Sequence, residues 1–178
     1  MKKIVFPIVL ILLASCGAVR VNYDYSQGTD FAIYSSYNYY PDMDTGLSQL
    51  DTRRLLKAVD SVMQIQGLSI SQEPDFYINI HSTLYRDAPS SSVGVGMGGT
   101  GGNVGGGISV GVPLGGSGIS REIVFDFVDA EQDALFWQAV SNSNYRENAS
   151  PSTRERVLRE VVDKVFAKYP PSDSRNTP

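Results

Sequence analysis

The sequence predicts an α+β fold, a two-layer sandwich in which two helices cover one face of a mainly antiparallel sheet. Apolar and polar residues alternate in several segments between residues 19 and 141, whereas helical spacing appears only over 48–66 and 152–168. A glycine-rich insert over 90–118 separates the early segments from a late hairpin. Runs of strands with helices to one side are the layout of a two-layer α+β domain.

The first segment is not part of that domain. Met1, Lys2 and Lys3 form a short cationic start, and Ile4 to Leu13 is apolar apart from Pro7, the arrangement of an export signal peptide over residues 1–15. The apolar run is about half the roughly twenty residues a membrane-spanning helix needs. It ends in Leu13-Ala14-Ser15-Cys16, which resembles the lipobox of bacterial lipoproteins. Small residues fit a peptidase pocket, and a thiol is the nucleophile that can take up diacylglycerol as a thioether. Cleavage before Cys16 and acylation of its new amino group, with palmitate expected, follow from that resemblance.

The chain's cysteine usage agrees independently. One Cys in an exported protein cannot form an internal disulfide and calls for another explanation, which lipidation of Cys16 supplies. Several acyl chains on one residue anchor a protein stably, whereas one holds it only reversibly. Gly17 stands where an Asp would resemble an inner-membrane retention signal, and Gly17 to Arg20 contain no acidic surface-export signal. The expected location is the outer membrane, facing the periplasm.

Removing Lys2 and Lys3 from the 15 basic residues leaves 13 against 19 acidic ones, a mature net charge near −6. That balance argues against nucleic-acid binding, which needs clustered Lys and Arg to displace counterions. It also argues against a polybasic membrane binder. Residues 16–171 suit one domain, followed by a polar tail over 172–178.

Within the domain, Val19 to Tyr25 alternates like a strand directly after the anchor. Phe31 to Tyr40 is aromatic and includes a second strand. Tyr34, Tyr37, Tyr39 and Tyr40 suggest either a sugar-stacking surface or, more simply, a half-buried pleat. Asp42 to Gly46 has the flavour of a calcium loop without its terminal Glu, and reads as a polar turn.

Ser48 to Gln66 is the first helix. Leu55, Val59 and Val62 form its stripe, with Leu56 and Met63 beside it; Ser48 with Asp51 caps the start and Gly67 the end. Arg53, Arg54 and Lys57, near Asp51 and Asp60, read as a solvated face. Asp75 to Arg86 is a long strand, with Phe76, Ile78, Ile80 and Leu84 on one face and Tyr77, Asn79, His81, Thr83 and Tyr85 on the other. The second of these faces is polar, as on a sheet covered from one side only.

The 90–118 insert holds thirteen of the 17 glycines. Glycine loses the most backbone entropy on ordering, so a mobile insert is expected. The competing reading is a glycine-rich hairpin, built from the alternation of Val93, Val95 and Met97 with Ile108, Val110 and Val112, that orders against a partner. Gly94 to Gly99 matches G-x-G-x-x-G but lacks the strand and helix that give the motif meaning.

Arg121 to Val128 and Ala134 to Ser141 form a hairpin across Asp129 to Asp133. Ile123, Phe125 and Phe127 line one face of its first strand, and Leu135, Trp137 and Ala139 one face of its second. The last helix spans 152–168, with Ser152 and Glu155 as a capping box and Pro170-Pro171 as its stop.

Taken in order, Asn22 to Tyr25, Asp30-Phe31 with Tyr34 to Tyr37, Pro74 to His81, Ile123 to Asp129 and Leu135 to Gln138 resemble the lipoprotein domain family of unknown function DUF4136. Glycine-rich inserts before the hairpin are common in that family, and the resemblance implies no catalytic residues.

His81 is the sole histidine and the sole thiol, Cys16, is expected to be lipidated, so no His/Cys zinc set and no Cys-His pair is expected. No catalytic, cofactor-binding or metal-binding residue is expected. The leading functional expectation is a lipid-anchored, non-enzymatic binding or assembly module that docks another envelope protein or a glycan. The alternatives are a structural envelope lipoprotein and a hydrolase using carboxylates such as Asp24, Asp75 or Asp126.

Overall fold

The computed structural model describes residues 19–86, 92–94, 111–113 and 118–172. The expected signal peptide over 1–15, Cys16, most of the 90–118 insert and the tail beyond residue 172 lie outside the described residues.

The elements run in chain order as β1 (Arg20–Tyr25), a 3-10 turn (Phe31–Ile33), β2 (Ser36–Tyr39), α1 (Gln49–Ile65), β3 (Ser69–Ile70), β4 (Phe76–Arg86), β5 (Ser92–Gly94), β6 (Gly111–Pro113), β7 (Ile119–Asp129), β8 (Ala134–Tyr145) and α2 (Pro151–Phe166). Six strands make one mixed sheet in the order β1-β8-β7-β4-β2-β3. β1, β8, β7 and β4 are antiparallel neighbours, and β2 runs parallel to both β4 and β3. This is the expected two-layer α+β sandwich, with a parallel edge the sequence did not indicate. From the insert, β5 and β6 pair antiparallel with Val93 opposite Val112, a self-pairing of its flanking alternation.

The core forms where the helices meet the sheet. Leu55, Val59 and Met63 from α1 and Val161, Val165 and Phe166 from α2 are fully buried against Ile78, Ile80, Phe125, Phe127 and Trp137. Ser48 caps α1 by accepting the amide of Asp51, and Gly67 leaves it at φ +87°, as the sequence indicated. The cap of α2 is Ser150, which accepts the amide of Thr153, with Pro151 at the first helical position. The Ser152-Glu155 capping box is therefore displaced. Proline's fixed φ and missing N–H suit the first turn, so the helix starts one residue earlier.

Two other expectations about facing are corrected. A bulge at Phe127/Val128 pairs Phe127 with Trp137 but Val128 with Leu135, skipping Phe136. The bulge turns Phe136 inward, 4% exposed, and leaves Leu135 49% exposed. Leu84 is also exposed, because β4 continues past the core residues that meet the helix layer.

The Asp42 to Gly46 turn is held by the Gly46 amide, which donates to Asp44 Oδ1. Gly46 has φ +65°, and a Cβ there would stand 2.6 Å from the backbone oxygen of Ser82. Gly46→Ala is expected to cost about 2 kcal/mol through positive φ and the backbone clash together. A melting temperature lower by roughly 5 °C in a thermal scan would bear this out, and an unchanged one would contradict it.

Candidate functional site

The helices cover one face of the sheet; among the described residues nothing covers the other. Strand register arranges this open face in cross-strand rows. One contains Asp24, Gln138, Asp126 and Asn79; the next Asn22, Val140, Val124 and His81; the next Arg20, Asn142, Glu122 and Thr83. Gln138 Nε2 donates to Asp126 Oδ1 at 2.7 Å, and the Tyr85 hydroxyl donates to Asn142 Oδ1. The face thus presents amides and carboxylates around a Val124/Val140 centre, a pattern that can exchange many hydrogen bonds with an extended partner.

The three carboxylates singled out in the sequence do not converge. Asp24 and Asp126 share a row but have a strand between them, a separation of about 10 Å at ordinary strand spacing. Asp75 lies toward the other end of the sheet, where its Oδ2 accepts the amides of Ser35 and Ser36, each at 2.8 Å. The Ser35 amide is the main cause holding its carboxyl below the usual range. Asp75 therefore fastens β2 to β4. His81 is exposed and contacts Thr83 Oγ1 at 3.2 Å. No group of three or more metal-ligating side chains occurs among the described residues.

The tyrosines are mostly structural. Tyr37 and Tyr39 both donate to Asp60 Oδ1, at 2.9 and 2.7 Å, and Tyr34 donates to Asp129 at 2.8 Å. Burial first, and these carboxylates second, push the three phenols above their ordinary range. Tyr40 and Tyr77, with ring centroids 5.2 Å apart, and the stacked Tyr23 and Tyr25, at 6.5 Å, are aromatic pairs nearer the surface.

The molecule has two distinct ends. Arg86 pairs with Ile119, Ile119 with Tyr145, and Arg20 with Asn142. Val19 and both roots of the insert therefore lie at the same end of the sheet, where α2 also begins. Asp51, 1% exposed, sits in the first turn of α1 and binds Arg54 Nη1 at 2.7 Å and Arg154 Nη1 at 3.1 Å. This corrects the solvated-face reading of Asp51 and Arg54. Asp60 likewise serves the tyrosines.

Arg154 also donates to the carbonyls of Ala149 and Glu147. Nearby, the Arg121 guanidinium lies 4.1 Å from the centre of the Tyr145 ring. Between the end of β8, the loop after it and α2 is a cleft of about 110 Å³ lined by Val19, Arg121, Arg146, Arg156 and Val157 among others. Sequence reasoning missed this cluster because its arginines come from separate elements. The only local signal was Asp51 at the capping position.

A family model described as a domain of unknown function, DUF4136, matches residues 21–171. No curated protein matches the chain. Among solved structures, a PDZ-domain protein from Parabacteroides distasonis is similar at 12% identity and TM-score 0.59, over 88% of this chain and 36% of that one. This chain therefore spans about a third of that protein. A DUF4136 family protein from Bacteroides thetaiotaomicron is similar at 14% identity and TM-score 0.52, over 85% and 96% of the two chains. The PelC dodecamer from Paraburkholderia phytofirmans aligns at 9% identity and TM-score 0.47, over 84% and 96%.

Proposed function

The chain belongs to the DUF4136 family, and from that premise we propose that it is a lipid-anchored envelope protein whose open sheet face docks another envelope protein or a glycan. In this reading the acylated Cys16 holds it to the outer membrane on the periplasmic side, and it acts by binding and assembly, without catalysis. The observation that carries the reading is the open face itself, four antiparallel strands wide and lined by amides, carboxylates and hydroxyls. A sheet that buries one face against helices and leaves the other accessible has a rigid platform for recognition. The separation of Asp24 from Asp126 and the structural employment of Asp75 favour binding over hydrolysis.

The test is made in intact cells by cross-linking and recovery of neighbours. Asn22→Lys with His81→Lys alters two exposed residues that flank the Val124/Val140 centre. The double variant is expected to melt within about 2 °C of wild type, because exposed substitutions usually change stability by no more than about 0.5 kcal/mol. Its recovered neighbours should be lost. Unchanged recovery would remove the open face from the proposal. In parallel, Cys16→Ser should abolish incorporation of a fatty-acid analogue, and equal labelling would overturn the anchor.

A further inference from the structure

We propose that the cleft at the anchor end is a site for the phosphate headgroup of an anionic membrane lipid, drawn from the leaflet that holds the acylated Cys16. The assignment rests on the anchoring described above.

Its first support is position. Val19 lines the cleft and follows Cys16 by three residues, which can span at most about 11 Å even when fully extended. A domain tethered so closely has this end of the sheet at the membrane surface, within reach of headgroups.

Its second support is charge. Arg121, Arg146, Arg154 and Arg156 line the cleft, with Glu160 as the one acidic residue of the lining. Glu160 is bound to Lys164 at 3.0 Å and approaches Arg156 at 3.9 Å. Behind the cleft, Asp51 is saturated by Arg54 and Arg154, and Glu147 is exposed in the loop before α2. With Arg154 committed to Asp51 and to two carbonyls, Arg121, Arg146 and Arg156 are left to meet an anion. The buried Arg121 Nε finds no acceptor among the described residues. Its guanidinium is half-buried, which presses it below its ordinary basicity, and Tyr145 covers one face. A desolvated guanidinium favours the planar, bidentate pairing that phosphate oxygens offer.

Its third support is the apolar part of the lining. Val19, Ala149 and Val157 suit the glycerol and upper acyl carbons of a lipid and offer nothing to inorganic phosphate. The mature chain's net charge near −6 would otherwise repel an anionic surface, so a local cationic site gives the end nearest the membrane a preferred contact.

The experiment uses the full mature protein, purified with its acyl groups in a neutral maltoside detergent. Its melting temperature is measured with dihexanoyl phosphatidylglycerol, dihexanoyl phosphatidylcholine or inorganic phosphate added. Phosphatidylglycerol should raise it saturably by roughly 5 °C, and less so in high salt. Phosphatidylcholine and inorganic phosphate should leave it unchanged. Arg146→Gln with Arg156→Gln, both exposed, should preserve the unliganded melting temperature and abolish the rise. No rise with phosphatidylglycerol, an equal rise with inorganic phosphate, or a full rise in the double variant would each overturn the site. The intact mass of the same preparation reports separately on Cys16. An unacylated protein with the full lipid-dependent rise would overturn the anchor and leave the headgroup site standing.

Discussion

Replacing Asp51 with asparagine is expected to lower the melting temperature by roughly 10 °C, which places it among the most damaging single changes in the chain. The carboxylate is 1% exposed and joins the first turn of α1 to the first turn of α2 through Arg54 and Arg154. Removing one partner of a fully buried ion pair costs about 3–5 kcal/mol, and because the Arg54 and Arg154 side chains are 23% and 26% exposed the lower end of that range applies. Asparagine keeps the shape but replaces one acceptor oxygen with an NH2 donor, so the measurement reports the loss of the charge together with one of the two arginine hydrogen bonds. A fall of less than about 2 °C would mean that the arginines find other acceptors.

The same residue sets an acid limb. Burial alone would raise the Asp51 pKa, but hydrogen bonds from Arg54, Arg154 and Ser48 outweigh it and hold the carboxyl below its ordinary value. A pKa depressed by folding contributes stability that is complete above the unfolded value, near 4, and is lost as pH falls through the folded value. Wild type should therefore lose stability below about pH 4, and Asp51→Asn should lose less over that interval. Asp75 and Asp129 are also lowered, so the variant's curve should flatten only in part.

Phe127→Ala is expected to cost about 3–5 kcal/mol, measured by urea unfolding as a lower midpoint at unchanged slope. Its ring centre lies 4.7 Å from Trp137, 4.8 Å from Tyr169 and 4.9 Å from Phe76, so the substitution opens a cavity where both layers meet. Rigid aromatic neighbours from β4, β8 and the turn after α2 cannot collapse into that space, which keeps the cost high. The adjacent bulge supplies a paired control. Phe136→Ala should be strongly destabilising and Leu135→Ala nearly neutral, given their 4% and 49% exposures. Equal effects would place the bulge elsewhere.

Much of the fold was legible because it depends on local periodicity. The alternation in β4 and β7 and the helical stripe around Leu55 and Val59 report burial directly, since side chains alternate every second residue in a strand and recur near every 3.6 in a helix. The errors fall where one residue breaks the count. The bulge exchanged Leu135 for Phe136, and Pro151 at the first helical position moved the cap of α2 to Ser150. The candidate sites were less legible. The polar side of β4 was visible as a pattern, but its breadth depends on register with β7, β8 and β1. The arginine cleft was not visible at all.

The sequence by itself determined the α+β class, the two helices, the hairpin and the family resemblance, and it raised the expectation of lipidation at Cys16. Each of these readings rests on short windows of residue type and spacing. Only the tertiary structure decided that Asp51 is buried between arginines 100 residues apart and that Asp60 serves two tyrosines. It alone placed Val19, both roots of the insert and the arginine cleft at one end of the sheet. The physical reason is that a charge's partner and a strand's neighbour are chosen by packing across the chain. No local window contains both members of such a pair.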